Sequence, residues 1–291
     1  MKKNKIPRFC LHLVFVLMTL VFIVPLVIAI MISVSTESDV LTYGYSIIPR
    51  HFSLEAYKIL FQDASDLLCA YGITILSSVL GSVLTVVLCA SIAYALSQPQ
   101  FTPRRGVMIY ILITMLFGGG LVPSYIINTQ VLGIGNTIWI HILLGLVAGS
   151  NIILFKVFFT QIPASLIEAA DIDGANQMQV LKSMIIAMSK PIIAMVFFNT
   201  FLGRWNNFEN SMYYITDKKL YSLQYFLNNV ISDAEFIREI YKMYNLTMET
   251  DIPVETLKFA ICVAGALPVL VIFPFVQKYF SKGITMGAVK E

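Results

Sequence analysis

Six stretches of this chain, residues 11–34, 70–97, 107–127, 137–159, 184–203 and 258–278, are nearly unbroken runs of apolar residues. Each supplies the roughly 20 helical residues needed to cross a hydrocarbon layer of about 30 Å. Backbone amides in lipid have to be satisfied by the chain itself, so such runs fold as helices or close into a barrel. The short alternating segments of barrel strands are missing from the sequence. The expected fold is an all-α polytopic membrane protein with six transmembrane helices in one domain.

Composition excludes a soluble domain, a disordered chain and a nucleic-acid binder. Of 291 residues, 57% are hydrophobic and only 13% charged, about half the ~25% charge of a soluble domain. That is too apolar for a water-soluble surface and the opposite of a disordered chain, and a net charge of +3 is too small for nucleic-acid binding. Cys10, Cys69, Cys89 and Cys262 are scattered without CxxC spacing, which argues against a disulfide scaffold or a metal module.

The first apolar stretch follows Lys2, Lys3, Lys5 and Arg8 but exceeds the roughly 7–15 residues of a signal-peptide core, so an uncleaved helix is expected. With six alternating helices, those four residues fall on one side together with Arg104, Arg105, Lys156, Lys182, Lys190, Lys278, Lys282 and Lys290. The opposite loops are longer yet carry only Arg50, Lys58, Arg204, Lys218, Lys219, Arg238 and Lys242. Excess positive charge marks the cytoplasmic face, so both termini are expected there, with residues 35–69 and 204–257 outside. Within the second outer loop, Leu220, Leu223, Leu227, Val230 and Ile231 recur near helical spacing.

What the membrane runs lack narrows the function. None carries Asp, Glu, Lys or Arg in its central part, although ion-coupled carriers and voltage sensors normally need such groups. A secondary carrier is therefore the less favoured alternative. There is no HExxH or GxSxG for membrane catalysis and no GxxxxGK[ST] to cradle nucleotide phosphates. His141 reads as a packed residue. The chain is not expected to be an enzyme or to bind a cofactor or metal, and any ATP has to be handled by another subunit. Thr74, Ser77, Ser78, Ser82, Asn151 and Asn199 are polar residues within apolar runs, available either to line a translocation path or to make helix contacts. Gly118, Gly119 and Gly120 before Pro123 read equally as a break or end of the third helix and as a site of close helix packing.

The informative stretch runs from Gln161 to Pro191, where a polar, helix-capable loop interrupts the membrane pattern on the positive side. Pro163 limits any preceding helix, Ser165 and Glu168 have capping-box spacing, and Gly174 can supply the left-handed residue that ends a short helix. A second helix from about Ala175 would run toward the fifth span, with a kink tolerated at Pro191. The result is an elbow offering the Glu168 and Asp173 carboxylates to an arginine, beside Ala169 and Ala170, whose small side chains allow close approach.

Glu168-Ala169-Ala170 followed by Asp173-Gly174-Ala175, with Ser189-Lys190-Pro191 behind it, closely resembles the EAA loop of bacterial ABC importer permeases. FGGGLVP at 117–123, NTIW at 136–139, RWNNF at 204–208 and QKYFSKGITMGAVKE at 277–291 extend the resemblance over nearly the full length, toward the carbohydrate importers and their LplC-like subgroup. One departure is Ala187, where the family usually has proline.

The resemblance implies an ABC importer type I permease fold in the bacterial cell membrane, forming half of a path for a carbohydrate, with an oligosaccharide favoured over a non-sugar solute. It implies as partners a second homologous permease, a dimer of ATPase subunits that carries the ATP and Mg, and an extracellular solute-binding lipoprotein. Glu168, Ala169, Ala170, Asp173 and Gly174 would form the coupling element, and the tail from Lys282 to Glu291 would contact the ATPase. Trp205, Asn199, Asn151 and Ser78 are the residues placed on the substrate path or at the binding protein, Trp205 being suited to stack on a sugar or to anchor at the membrane interface.

Overall fold

The computed structural model describes residues 5–244 and 252–287. In chain order the helices are α1 (Lys5–Ser33), α2 (Glu37–Tyr43), α3 (Glu55–Leu60), α4 (Ala64–Ser97), α5 (Arg104–Leu116), α6 (Leu121–Ile126), α7 (Trp139–Leu143) and α8 (Gly149–Phe159). They continue with α9 (Ala164–Ile172), α10 (Gln177–Gln179), α11 (Ile186–Met188), α12 (Lys190–Trp205), α13 (Glu209–Tyr214), α14 (Leu223–Met243) and α15 (Val254–Gly287). A π-helical turn prolongs α6 over Ile127–Val131 and another joins α10 to α11 over Val180–Ile185. Among the described residues there is no strand, only an isolated bridge between Ser35 and Phe52.

Only the first, second and last apolar runs lie on helices long and apolar enough to cross a membrane unbroken, within α1, α4 and α15; the number rises to as many as five if each of two bent pairs is one span. The third run bends by 111° between α5 and the α6 segment. Phe117 is extended and Gly120 takes φ +84°, so of the two readings of the triple glycine the structure shows the helix break. The fourth run was expected to be continuous over 137–159 and is not. Helix α7 stops at Leu143, Gly145 takes φ +68°, and α8 starts at Gly149. A glycine leaves the hydropathy of LLGLVAG high while permitting a backbone conformation that ends a helix, so the run looks unbroken when only its polarity is read. The fifth run bends by 82° at Ser189, next to Pro191, which has no amide hydrogen to donate.

The chain divides into two compact units, residues 1–67 with 226–268 and residues 68–225 with 269–291. In the first, the buried Glu37 clamps the start of α15. Its Oε1 accepts from the Glu255 amide at 2.9 Å, and its Oε2 accepts from the Thr256 amide at 2.9 Å and the Thr256 hydroxyl at 3.1 Å. A carboxylate there satisfies amides that have no intrahelical partner and complements the helix dipole. The expected helical segment in loop 204–257 is present as α14. Residues 11–26 of α1 are all exposed in this chain, and so apolar a helix has to be covered by lipid or by another subunit.

The second unit has a core joining Cys89, Ala93 and Leu96 of α4, Ile111 of α5, Phe155 of α8, Ala170 of α9, Val180 and Val196. Close approach of α8 to α5 depends on Gly149, where a Cβ would lie 2.7 Å from the Met115 sulfur. Asn136 takes φ +53°, and its Oδ1 accepts from the amides of Thr216 at 2.9 Å and Asp217 at 3.0 Å. Asparagine tolerates that conformation, and this one tethers two loops 80 residues apart.

Candidate functional site

Residues 161–191 form the bent segment read from sequence. Helix α9 ends in a Schellman motif: Gly174 takes φ +78°, and the Ala175 amide donates back to the Ala170 carbonyl at 3.0 Å. Among the described residues nothing lies within 4 Å of where a Cβ on Gly174 would sit, so glycine is required there by backbone conformation and not by space. The capping box is not where Ser165 and Glu168 suggested, because α9 begins at Ala164, just after Pro163, and Ser165 falls inside it. Asn176 and Gln179 make the box instead, at the start of α10. Asn176 Oδ1 accepts from the Gln179 amide at 2.9 Å, and Gln179 Oε1 accepts from the Asn176 amide at 2.8 Å.

Glu168, Ala169, Asp173 and Gly174 are all exposed. Among the described residues, neither the Glu168 nor the Asp173 carboxylate has an ion-pair or hydrogen-bond partner, so both are open to a cation from outside the chain. Ala170 departs from expectation: it is buried in the core of its own unit, held inward by the helical turn, which leaves Ala169 as the small outward residue. Ile172 is 86% exposed, a bare aliphatic side chain that the charges and the glycine around it do not signal. The elbow is tied to α4 by the Tyr94 hydroxyl, which donates to Gln177 Oε1 at 2.7 Å.

The same unit holds a polar cavity of about 400 Å³, within the range of small-ligand sites. Asn151 and Asn199 both line it, and so do Ser77, Thr200, Asn207, Asn210, Ser222, His141 and Arg204. Two other sequence candidates lie elsewhere. Ser78 is fully buried, and among the described residues its hydroxyl has no hydrogen-bond partner, like those of Ser82 and Thr85 one and two turns further along α4. Trp205 was expected just outside the fifth span, but α12 continues through it, and the ring is fully buried against Phe201 at 5.7 Å, so stacking on a sugar is not open to it here.

Arg204, which the sequence places among the charges of an outer loop, sits instead at the end of α12 and donates through Nη1 to the His141 carbonyl. Its guanidinium lies where a side chain on Gly81 would be: a Cβ there would come within 2.6 Å of its Cζ and Nε. His141 is fixed in turn, with Nε2 3.0 Å from the Leu220 carbonyl, an arrangement that puts the ring proton on Nε2. A glycine in the middle of an apolar helix and an arginine directly after another glycine were the available signals, but nothing local connects residues 81, 141 and 204.

Broken apolar helices around a polar cavity, with an exposed helical elbow, define a membrane permease. No family model matches the chain. It is 28% identical over 289 residues to the polygalacturonan/rhamnogalacturonan transport system permease protein YtcP of Bacillus subtilis, covering 99% of each. To Protein LplC of the same organism it is 32% identical over 269 residues, covering 92% of this chain and 89% of that one. To its galactooligosaccharides transport system permease GanQ it is 30% identical, covering 84% and 83%. Among solved structures, a bacterial ABC transporter involved in the import of the acidic polysaccharide alginate superposes with a TM-score of 0.77 at 28% identity, covering 96% of this chain and 98% of that one. The chain belongs to the permease family of bacterial carbohydrate ABC transporters. It is a transport component of the membrane and not an enzyme, and permeases of this kind work with a second permease, an ATPase and a binding protein.

Proposed function

We propose that this chain is one of two permease subunits of an importer for an oligosaccharide, with six spans and both termini in the cytoplasm. The observation that carries the proposal is the exposed elbow: two carboxylates unpaired among the described residues and a bare Ile172 on a helix whose end is fixed by Gly174. In water an exposed Ile of this kind is left idle, whereas a cleft on an ATPase subunit would cover it while an arginine there engages Glu168. ATP and Mg belong to that subunit. The uncovered face of α1 suits lipid or the second permease, and the tail from Lys282 is assigned to the ATPase dimer, although residues 288–291 lie outside the described residues.

Alternating access follows from linkage. Nucleotide on one side and the loaded binding protein on the other each bias a two-state bundle. The elbow shares one core with α4, α8 and α12, so its displacement has a packed route, reinforced by Tyr94 and Gln177, to the helices lining the cavity. The names of the relatives support oligosaccharides as the cargo. The test is ATPase activity of the assembled complex in liposomes, with and without its binding protein loaded from an oligosaccharide library. Stimulation by one loaded sugar is the expected result. Hydrolysis that no sugar stimulates would overturn the carbohydrate assignment, and failure of any ATPase to associate would overturn the reading of the elbow.

A further inference from the structure

A second cavity of the same unit, of about 640 Å³, opens where α4 ends, α5 begins and α8 ends. Ser97 closes α4, Arg104 and Arg105 open α5, and Lys156 and Thr160 finish α8, so three cations from two helices share one pocket. Lys156 is half-buried and the two arginines are exposed. Among the described residues none of the three has an ion-pair partner. The sequence offers none nearby, because no Asp or Glu occurs between Asp66 and Glu168. Like charges gathered in one place repel each other, and the pocket is left with a requirement for an anion that its own segment does not meet.

The surroundings say which kind of anion fits. Leu96, Met108 and Ile109 share the lining with the cations, and Tyr110 of α5 and Leu154 and Val157 of α8 are exposed on the same helices. A soluble anion has no use for such a border. A phospholipid uses both parts, with its phosphate at the charges and its acyl chains along the apolar side chains. The N-terminus of α5 adds the positive end of a helix dipole on the phosphate side. The two hydroxyls have already committed their protons: Ser97 Oγ donates to the Tyr94 carbonyl at 2.7 Å, and Thr160 Oγ1 donates to the Val157 carbonyl at 2.9 Å. What remains on each is lone pairs, which accept from a headgroup hydroxyl. The cations in turn disfavour a headgroup that carries an ammonium.

We propose that this pocket binds the phosphate of an anionic phospholipid whose headgroup carries hydroxyls, with Arg104, Arg105 and Lys156 as the groups that hold it. The proposal goes beyond the transport reading and rests only on that reading's placement of these helix ends at the cytoplasmic face. A bound headgroup ties together the ends of α4, α5 and α8, three helices that share one core with the elbow.

The experiment uses the complete complex in phosphatidylcholine vesicles doped with phosphatidylglycerol that carries a photoreactive group near the glycerol end of its acyl chains, the labelled peptides being mapped by mass spectrometry. Labelling is expected to concentrate in residues 104–110 and 154–160 and to fall at least about tenfold when Arg104→Gln, Arg105→Gln and Lys156→Gln are combined. Combined Lys2→Gln, Lys3→Gln and Lys5→Gln, which removes the same charge from the same face, is expected to leave it unchanged, and photoreactive phosphatidylcholine is expected to label these segments weakly. Should the triple variant fail to assemble, Lys156→Gln alone is expected to lower labelling several-fold. Equal labelling by the two lipids, or an equal fall in the N-terminal variant, would mean that the charges only raise a general surface potential, and the site falls. Displacement of the lipid by glycerol phosphate added in solution would assign the pocket to a soluble anion instead, and labelling seen only when the ATPase is left out would assign it to that subunit. In each of these cases the transport reading stands. Labelling of residues 104–110 by a probe confined to the outer leaflet would overturn the cytoplasmic placement on which both readings rest.

Discussion

The elbow and the cavity lie in the same unit and use opposite physics. The elbow keeps its chemistry outside: Glu168, Asp173 and Ile172 are exposed, and its shape is set by contacts no more than five residues apart, from Ala170 to Ala175 and from Asn176 to Gln179. The cavity keeps its chemistry inside, and its decisive contact joins residues 81, 141 and 204, brought together only by the fold. One is built to be completed by a partner protein, the other to be filled and emptied. Changes at the elbow surface should therefore alter coupling with little effect on stability, whereas changes at the cavity wall should alter both.

The largest effect is expected at the wall. Gly81→Leu drives a branched side chain into the space of the guanidinium and should destabilise the protein by about 1–3 kcal/mol, the usual range for overpacking, and abolish uptake. Thermal unfolding in detergent alongside uptake in liposomes would show it, and unchanged values of both would mean that the contact between Gly81 and Arg204 is dispensable. Next comes Gly174→Val, which forces a β-branched residue into φ +78° at a cost of about 1–3 kcal/mol. Since the space around it is open, Gly174→Asn should be far milder, and equal damage by both would show that glycine is needed there for contact with a partner.

Tyr94→Phe removes one hydrogen bond between α4 and the elbow, worth about 1 kcal/mol. It is expected to lower the ratio of sugar taken up to ATP hydrolysed more than it lowers the melting temperature. At the small end for stability, Ile172→Ser should leave unfolding within about 0.5 kcal/mol, as for an ordinary surface change, while weakening co-purification with the ATPase. A stability loss without weaker association would place Ile172 in the chain's own fold.

How much could be read from the residues follows the same division. Apolar run length was enough for the helical membrane class, and GGG at 118–120 offered the break after α5 as one of two readings, because a triple glycine both interrupts propensity locally and permits close helix packing. The break at Gly145 was hidden because LLGLVAG stays apolar through it, and Ser165 with Glu168 fitted a capping pattern that Asn176 with Gln179 actually makes. Ala170 and Trp205 were assigned outward roles from their neighbours in sequence, yet helix phase turns the first inward and one extra turn of α12 buries the second. Asn151 and Asn199 meet in one cavity, but their polarity alone could not distinguish them from Ser78, whose hydroxyl is sealed inside.

The most direct test of the central claim, that the elbow is where an ATPase drives this permease, is Glu168→Ala in the assembled complex, with sugar uptake and ATP hydrolysis measured on the same liposomes. Loss of a charge-assisted contact of about 1.5–3 kcal/mol predicts uptake reduced at least about tenfold, in a complex of unchanged melting temperature. A complex that assembles, hydrolyses ATP and transports sugar at the wild-type rate without Glu168 would contradict it.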